Sequence, residues 1–229
     1  GGILWVYLSA SWKSCPAYSG FERFCLLASG NMRHFIELCY QSISLAALKG
    51  VQLSKDVITP IPQEIQAEAS IESSRLEIEK VDELGKHGEK LRFIVNRLGL
   101  FFQIVQKRKS QSENEVNHFS IRVSDDSLVD DTTKHLLREG SIWSILIELT
   151  GDTKRKSAND FSSKEYMLHP IFSPHFGISY RRQKKFDFTA DEIKVIFSGS
   201  EKEFVNLCQK YQKAWDLESD DSNKVKSAR

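Results

Sequence analysis

Cysteine is scarce in this chain, with four in 229 residues. Cys15, Cys25, Cys39 and Cys208 are scattered without metal-ligand spacing, so neither a disulfide framework nor a zinc site is expected. Three of them fall within apolar helical patterns, which fits reduced, buried thiols and an intracellular, reducing compartment, the cytoplasm. Long apolar runs are also lacking. None approaches the roughly 18 residues a membrane helix needs, and no signal peptide is visible. Net charge is nearly absent at +1, so the total says nothing about partners and only its distribution can. Catalytic signatures are missing too. There is no Gly-x-x-x-x-Gly-Lys-Ser/Thr phosphate loop, and Ser198-Gly199-Ser200 is a helix start rather than part of a Gly-x-Ser-x-Gly elbow. His169 and His175 are separated by prolines, with no acid or cysteine to complete a metal set, and read as packing or phosphate-contact residues. Asp125, Asp126, Asp130 and Asp131 could in principle hold Mg²⁺, but carboxylates at a helix start more often cap it and suit its dipole.

The rest of the composition is that of an ordinary globular chain, 40% apolar and 28% charged, long enough for one large domain or two small ones. The chain opens on Gly-Gly and runs straight into Ile3-Leu4-Trp5-Val6-Tyr7-Leu8, which reads as a piece whose beginning lies upstream. Trp5, Leu8 and Trp12 fall at helical spacing, predicting a helix over residues 3–15 that Pro16 ends. A short helix over Phe21–Ala28 and a long one from Met32 follow, closed near Gly50. In the long helix Phe35, Ile36, Leu38, Cys39, Ile43, Ala46 and Ala47 form a broad apolar face. A further helix runs from Pro62 to about Leu84, with Ile65, Ala69, Leu76 and Ile78 inside. From Glu89 to about Lys107 the apolar residues are too many for a surface helix, so this one should be central. Residues 107–114 are polar and aperiodic and mark a boundary.

Between the first two helices lies Ser29-Gly30-Asn31. Gly30 permits a sharp turn, and Ser29 or Asn31 can cap the next helix. Arg33 then falls in that helix's first turn, where the dipole disfavours a cation. One explanation is an anion that the helix end also attracts; the plain alternative is a solvated arginine. Ser-Gly-Asn-Met-Arg followed by His-Phe-Ile-Glu-Leu resembles the sensor-2 region of AAA+ ATPases, above all the origin-recognition type and its bacterial relatives. The resemblance implies a helical lid domain in which Gly30, Asn31 and Arg33 face a nucleotide, with Arg33 touching the terminal phosphate of ATP. The ATP, with its Mg²⁺, would be held by the complete protein, since this chain carries neither ATP-binding motif. The resemblance therefore implies an upstream ATPase domain, or self-association, as a partner.

Beyond residue 115 the pattern changes. His118 to Val123 alternates polar and apolar residues, predicting a half-buried strand. Asp125-Asp126-Ser127 is read as the cap of a helix from Leu128 to about Glu139. Strands are predicted at Ile142–Leu149, Tyr166–His169 and Phe176–Tyr180. A helix starts at Thr189, another runs from Glu201 to Trp215, and the tail after Leu217 is polar. Strand, helix, then two strands joined by a basic loop is the order of a winged-helix module. Between Thr153 and Phe186 the basic residues are Lys154, Arg155, Lys156, Lys164, Arg181, Arg182, Lys184 and Lys185, eight against two acids. Basic residues grouped in this way bind a phosphate backbone in a salt-dependent manner. Leu-His-Pro-Ile-Phe-Ser-Pro-His-Phe-Gly-Ile-Ser-Tyr-Arg-Arg resembles the C-terminal region of bacterial ATPases related to the origin-recognition family, proteins often associated with defence against phage.

The expected protein is mainly α with a smaller α+β part. A helical AAA+ lid-like bundle (1–108) is followed by a winged-helix-like domain (115–216) and a disordered tail (217–229), with double-stranded DNA as partner and no membrane. Two other readings remain open: a protein-interaction module whose basic face docks an acidic partner, and a free-standing winged-helix regulator.

Overall fold

The computed structural model describes residues 18–52, 60–106, 116–122, 129–149 and 164–212. The expected helix at 3–15, the linker at 107–114, Asp125-Asp126-Ser127, the loop with Lys154, Arg155 and Lys156, and the tail after Leu217 lie outside these residues. In chain order the helices are α1 (Phe21–Ala28), α2 (Met32–Leu48), α3 (Gln63–Lys80) and α4 (Gly88–Gln106), then α5 (Asp131–Ile142), α6 (Ser173–Phe176), α7 (Ala190–Ser198) and α8 (201–212). The strands are β1 (Val116–Ile121), β2 (Leu146–Leu149), β3 (Glu165–Leu168) and β4 (Lys184–Phe188). As predicted, the chain is mainly helical with a smaller part that mixes helices and strands. It forms two compact units, one from residues 1–80 and 169–181, the other from 81–168 and 182–229.

In the first unit, α1 ends at Ser29 in the left-handed conformation (φ 46°), Gly30 turns the chain (φ 83°), and Asn31 starts α2. Tyr18 is buried and joins the two segments of the unit. Its hydroxyl donates to the Ile178 carbonyl at 2.7 Å, and its own carbonyl accepts from Ser70 Oγ at 2.8 Å. The apolar face of α2 is narrower than expected. Leu38 and Ala46 are buried with Ser42, but Ile36 is 59% exposed and Ile43 52%. The buried side of α3 is made mostly of small residues, Ala67, Ala69, Ser70, Ser73 and Ser74, with Ile65 and Ile78, while Leu76 is only half-buried. Small groups at a helix contact let the neighbouring axis come close. Residues Phe176–Tyr180 are not a strand: Ser173–Phe176 is one helical turn, capped by Gly177 in the left-handed region.

The second unit is built around α4, whose Leu91, Ile94, Val95, Leu98, Phe101, Phe102 and Val105 are all buried, as a central helix requires. Its sheet has the order β2-β3-β1-β4, with β3 antiparallel to both β1 and β2, and β4 parallel to β1. The ring of Phe101 packs against Phe186, Phe188 and Tyr211 at 5.0–5.6 Å. Here β1 corrects the half-buried reading, because all six of its residues are buried. Its polar side chains have partners instead of solvent: the Gln183 N–H donates to Asn117 Oδ1 at 3.1 Å, and Ser120 Oγ donates to Asp187 at 2.5 Å. The start of α5 is also corrected. Its cap is Asp130, which accepts from the Thr133 N–H at 2.7 Å. Residues up to Ile142 finish that helix, so β2 begins only at Leu146. Strand β4 was not anticipated, whereas α7 starts as predicted, with Thr189 and Glu192 forming a reciprocal capping box.

Candidate functional site

Gly30, Asn31 and Arg33 stand together in the single turn that opens α2. Asn31 Oδ1 accepts from the Arg33 backbone N–H at 3.0 Å, using one of the free donors of the helix end. The side chain of Arg33 is exposed, and nothing stands within 4 Å of where a Cβ on Gly30 would be. The exposed guanidinium beside an open glycine at the positive end of a helix leaves room for an anion to approach.

Beside this turn lies a buried polar network that sequence reasoning missed. His34 Nε2 lies 3.3 Å from Glu77 Oε2 and 3.4 Å from Asn31 Nδ2. Glu77 also accepts from Lys80 Nζ at 2.8 Å, and Lys80 lies 3.9 Å from Glu37. Burial alone would raise the carboxyl of Glu77, but hydrogen bonds from His34 and Lys80 outweigh it and hold Glu77 at about 2. With Glu77 ionised, His34 Nε2 is better placed to donate to it, as a charge-assisted bond, than to accept from Asn31. The ring of His169 stands edge-on to His34, 5.0 Å between centroids. Burial pushes His169 down to about 3, helped by the charge of His34, so it is a neutral imidazole. Its Nδ1 accepts from the Ile171 N–H at 3.2 Å, which puts its proton on Nε2. The one sequence signal for this network was Glu77 itself, a carboxylate between Leu76 and Ile78 on the inner side of a helix.

The basic residues of the second half are distributed less simply than a count suggests. Lys164 pairs with Glu148 at 3.1 Å. Arg182 pairs with Glu165 at 2.5 Å, and Lys185 lies 3.7 Å from Glu165 and 3.1 Å from Asp187. His118, pushed down by burial, faces the same Glu165 at 3.7 Å. Lys184 is exposed on β4, and the Arg181 guanidinium lies over the Tyr180 ring at 5.7 Å. The sheet therefore brings Lys164, Arg182 and Lys185 to carboxylates, while Lys154, Arg155 and Lys156 fall between β2 and β3 outside the described residues. Among the described residues no group of three or more His, Cys, Asp or Glu could hold a metal ion. Cys25 is exposed rather than buried, Cys39 is half-buried and Cys208 buried, all as free thiols. No helix among the described residues is long and apolar enough to cross a membrane.

These features describe a helical protein with a small mixed sheet, an exposed arginine at a capped helix start and a sheet bearing paired charges. The family model described as ORC-CDC6-like matches residues 4–188, and the chain belongs to that family. Membership relates it to the AAA+ ATPases. No curated protein and no solved structure matches it.

Proposed function

We propose that this chain is the nucleotide-sensing lid and DNA-engaging part of an AAA+ ATPase. The observation that carries the reading is Arg33, exposed in the first turn of α2 directly after the Ser29-Gly30-Asn31 turn, in a chain of the ORC-CDC6-like family. Gly30, Asn31 and Arg33 would face the terminal phosphate of ATP held by an ATPase domain, with Mg²⁺ neutralising the phosphates. Arg33 contributes a fixed charge whose contact exists only while that phosphate does, so the lid reports nucleotide state. That domain, or a second copy of the protein, is the expected partner.

DNA binding rests on the second unit. The antiparallel strands β2 and β3 are joined by residues 150–164, which carry Lys154, Arg155, Lys156 and Lys164. A strand–basic connection–strand hairpin is the arrangement a winged-helix wing uses on phosphates, and Arg182, Lys184 and Lys185 of the same unit supply further charge, while Arg181 is the last residue of the first unit. The pairing of Lys164, Arg182 and Lys185 with acids limits what they add, so the Lys154–Lys156 cluster carries most of the affinity. Fluorescence anisotropy of labelled duplex DNA at two salt concentrations tests this. Expected is binding that weakens steeply with salt and is lost on charge reversal at Lys154, Arg155, Lys156, Arg181, Arg182, Lys184 and Lys185. Unchanged affinity in that variant rejects the DNA reading. The carboxylates already seated on the basic side chains favour a second reading, an interaction module for an acidic protein. Absent DNA binding, together with a co-eluting acidic partner, would support it.

A further inference from the structure

In the second unit His87 and His135 face one another in a way that no feature above requires. His87 closes the 3-10 turn Gly85–His87, and His135 stands on the exposed side of α5. Their Nε2 atoms are 3.2 Å apart, and the rings are nearly perpendicular, 84° with centroids 5.0 Å apart. Two neutral imidazoles meeting through these atoms can share only one N–H···N bond. A tetrahedral metal ion about 2.0–2.1 Å from each nitrogen would set them about 3.3 Å apart and use both lone pairs.

Both rings are held from their backbones. The Trp143 indole lies over Gly85, where an added Cβ would come within 2.9 Å of it, and Trp143 Nε1 donates to Glu139 at 3.2 Å. On the other side of His87, Gly88 sits so close to the chain at Asp82 that a Cβ would fall 2.2 Å from the Asp82 carbonyl oxygen. Asp130 caps α5 four residues before Lys134 and five before His135. The turn and the helix therefore present the two nitrogens without rearrangement, which is what a site needs if ordering is not to consume the binding energy.

We infer that His87 and His135 form a surface site for a divalent transition metal of the zinc, nickel or copper type, tying the Gly85–His87 turn to α5. Imidazole selects these ions over magnesium and calcium. Water completes the coordination, since no third ligand among the described residues is already in place. Asp131 lies one helical turn before His135 on the same face of α5 and is the carboxylate that can join it by rotation, whereas Glu139, one turn after His135, holds the Trp143 indole. With two protein ligands the site is weaker than a four-ligand structural zinc site and responds to the free metal concentration.

Isothermal titration of the full chain with Zn²⁺, with Mg²⁺ as control, tests this. Expected is one Zn²⁺ per chain and no response to Mg²⁺. Affinity falls in His87→Gln and in His135→Gln alike, by at least the roughly tenfold that loss of an outer-shell partner costs. Both positions lie at the surface, and metal-free melting curves check that each variant folds. Copper-loaded unmodified chain gives an answer that needs no variant: nitrogen hyperfine structure from two imidazoles in its electron paramagnetic resonance spectrum. No zinc binding, unchanged affinity in both variants, or a copper spectrum without two imidazole nitrogens overturns the site and leaves a histidine–histidine hydrogen bond.

Discussion

Asn31 and Arg33 divide one turn of backbone between stability and contact. Asn31 satisfies a helix donor through its side chain, so Asn31→Ala should lower the stability measured by urea unfolding by about 1 kcal/mol, and Asn31→Ser should restore most of it. Arg33 points into solvent at a position the helix dipole disfavours for a cation. Arg33→Ala should therefore leave the urea midpoint unchanged or slightly raised, within about 0.5 kcal/mol. Under the function proposed above, the same substitution should also impair ATP turnover, measured as phosphate release. Arg97 is the opposite case, an arginine only 3% exposed. Its guanidinium lies over the Phe93 ring at 3.7 Å and donates to the carbonyls of Val195 at 2.6 Å and Gly199 at 3.0 Å, where α7 ends. Arg97→Met keeps the bulk but takes the guanidinium donor away from both carbonyls, of which Val195 keeps the Gly199 N–H at 3.1 Å, and should cost about 1–3 kcal/mol, read from the shift in urea midpoint at unchanged slope. Sequence alone could not separate the two arginines, because each sits in an amphipathic helix and only burial distinguishes a staple from a probe.

At the scale of elements, the starts of helices follow local chemistry closely. The α1–α2 turn and the Thr189 capping box lie where the sequence places them, because caps involve neighbours two or three residues apart. The start of α4 is set by closeness rather than by a cap. Gly88 is packed against the backbone of Val81 and Asp82, so Gly88→Ala must push the Val81–Glu83 turn away. About 1–3 kcal/mol of destabilisation is expected from this overpacking, checked as a lowered melting temperature. Strands were harder to read. In β4 only Phe186 and Phe188 carry an apolar signal, and its strand state comes from parallel pairing with β1, more than sixty residues earlier. Phe176–Tyr180 has the aromatic residues of a strand, but Pro174 and the left-handed Gly177 turn it into one helical turn and a bend. In β1 the alternation of polar and apolar residues pointed to a wet face, yet Asn117, His118 and Ser120 are buried.

For the molecule as a whole, two buried groups make folding sensitive to acid, and their signs can be worked out separately. Glu77 titrates at about 2 in the fold, below about 4.3 for an unfolded glutamate. Its contribution is complete above about 4.3 and is lost as pH falls from there towards 2. His169 titrates at about 3, below about 6.5 for an unfolded histidine. The unfolded chain therefore takes up its proton first, and stability falls as pH drops from about 6.5 towards 3. His118 and His175, also pushed down by burial, act in the same sense. Urea unfolding from pH 7.5 to pH 4 should show a steady loss beginning near 6.5. His169→Gln offers a non-titrating acceptor to the Ile171 N–H and should flatten that decline. An equally steep decline in the variant would put the acid sensitivity elsewhere.

The mainly helical character, the positions of α1 and α2, the central role of α4 and the Gly30-Asn31-x-Arg33 turn were all determined by the sequence itself. Each depends on residues within a few positions of one another, where spacing and capping chemistry act directly. Tertiary structure alone decided that residues 169–181 return to complete the first unit, so that His169 meets His34 and Tyr18 meets Ile178. It also decided which cations meet carboxylates, since Lys164, Arg182 and Lys185 reach acids 16 or 17 residues away or on the same strand. The physical reason is the same in both cases. Burial and charge pairing are properties of distances in space, and two side chains far apart in a chain have no fixed distance until the fold supplies one.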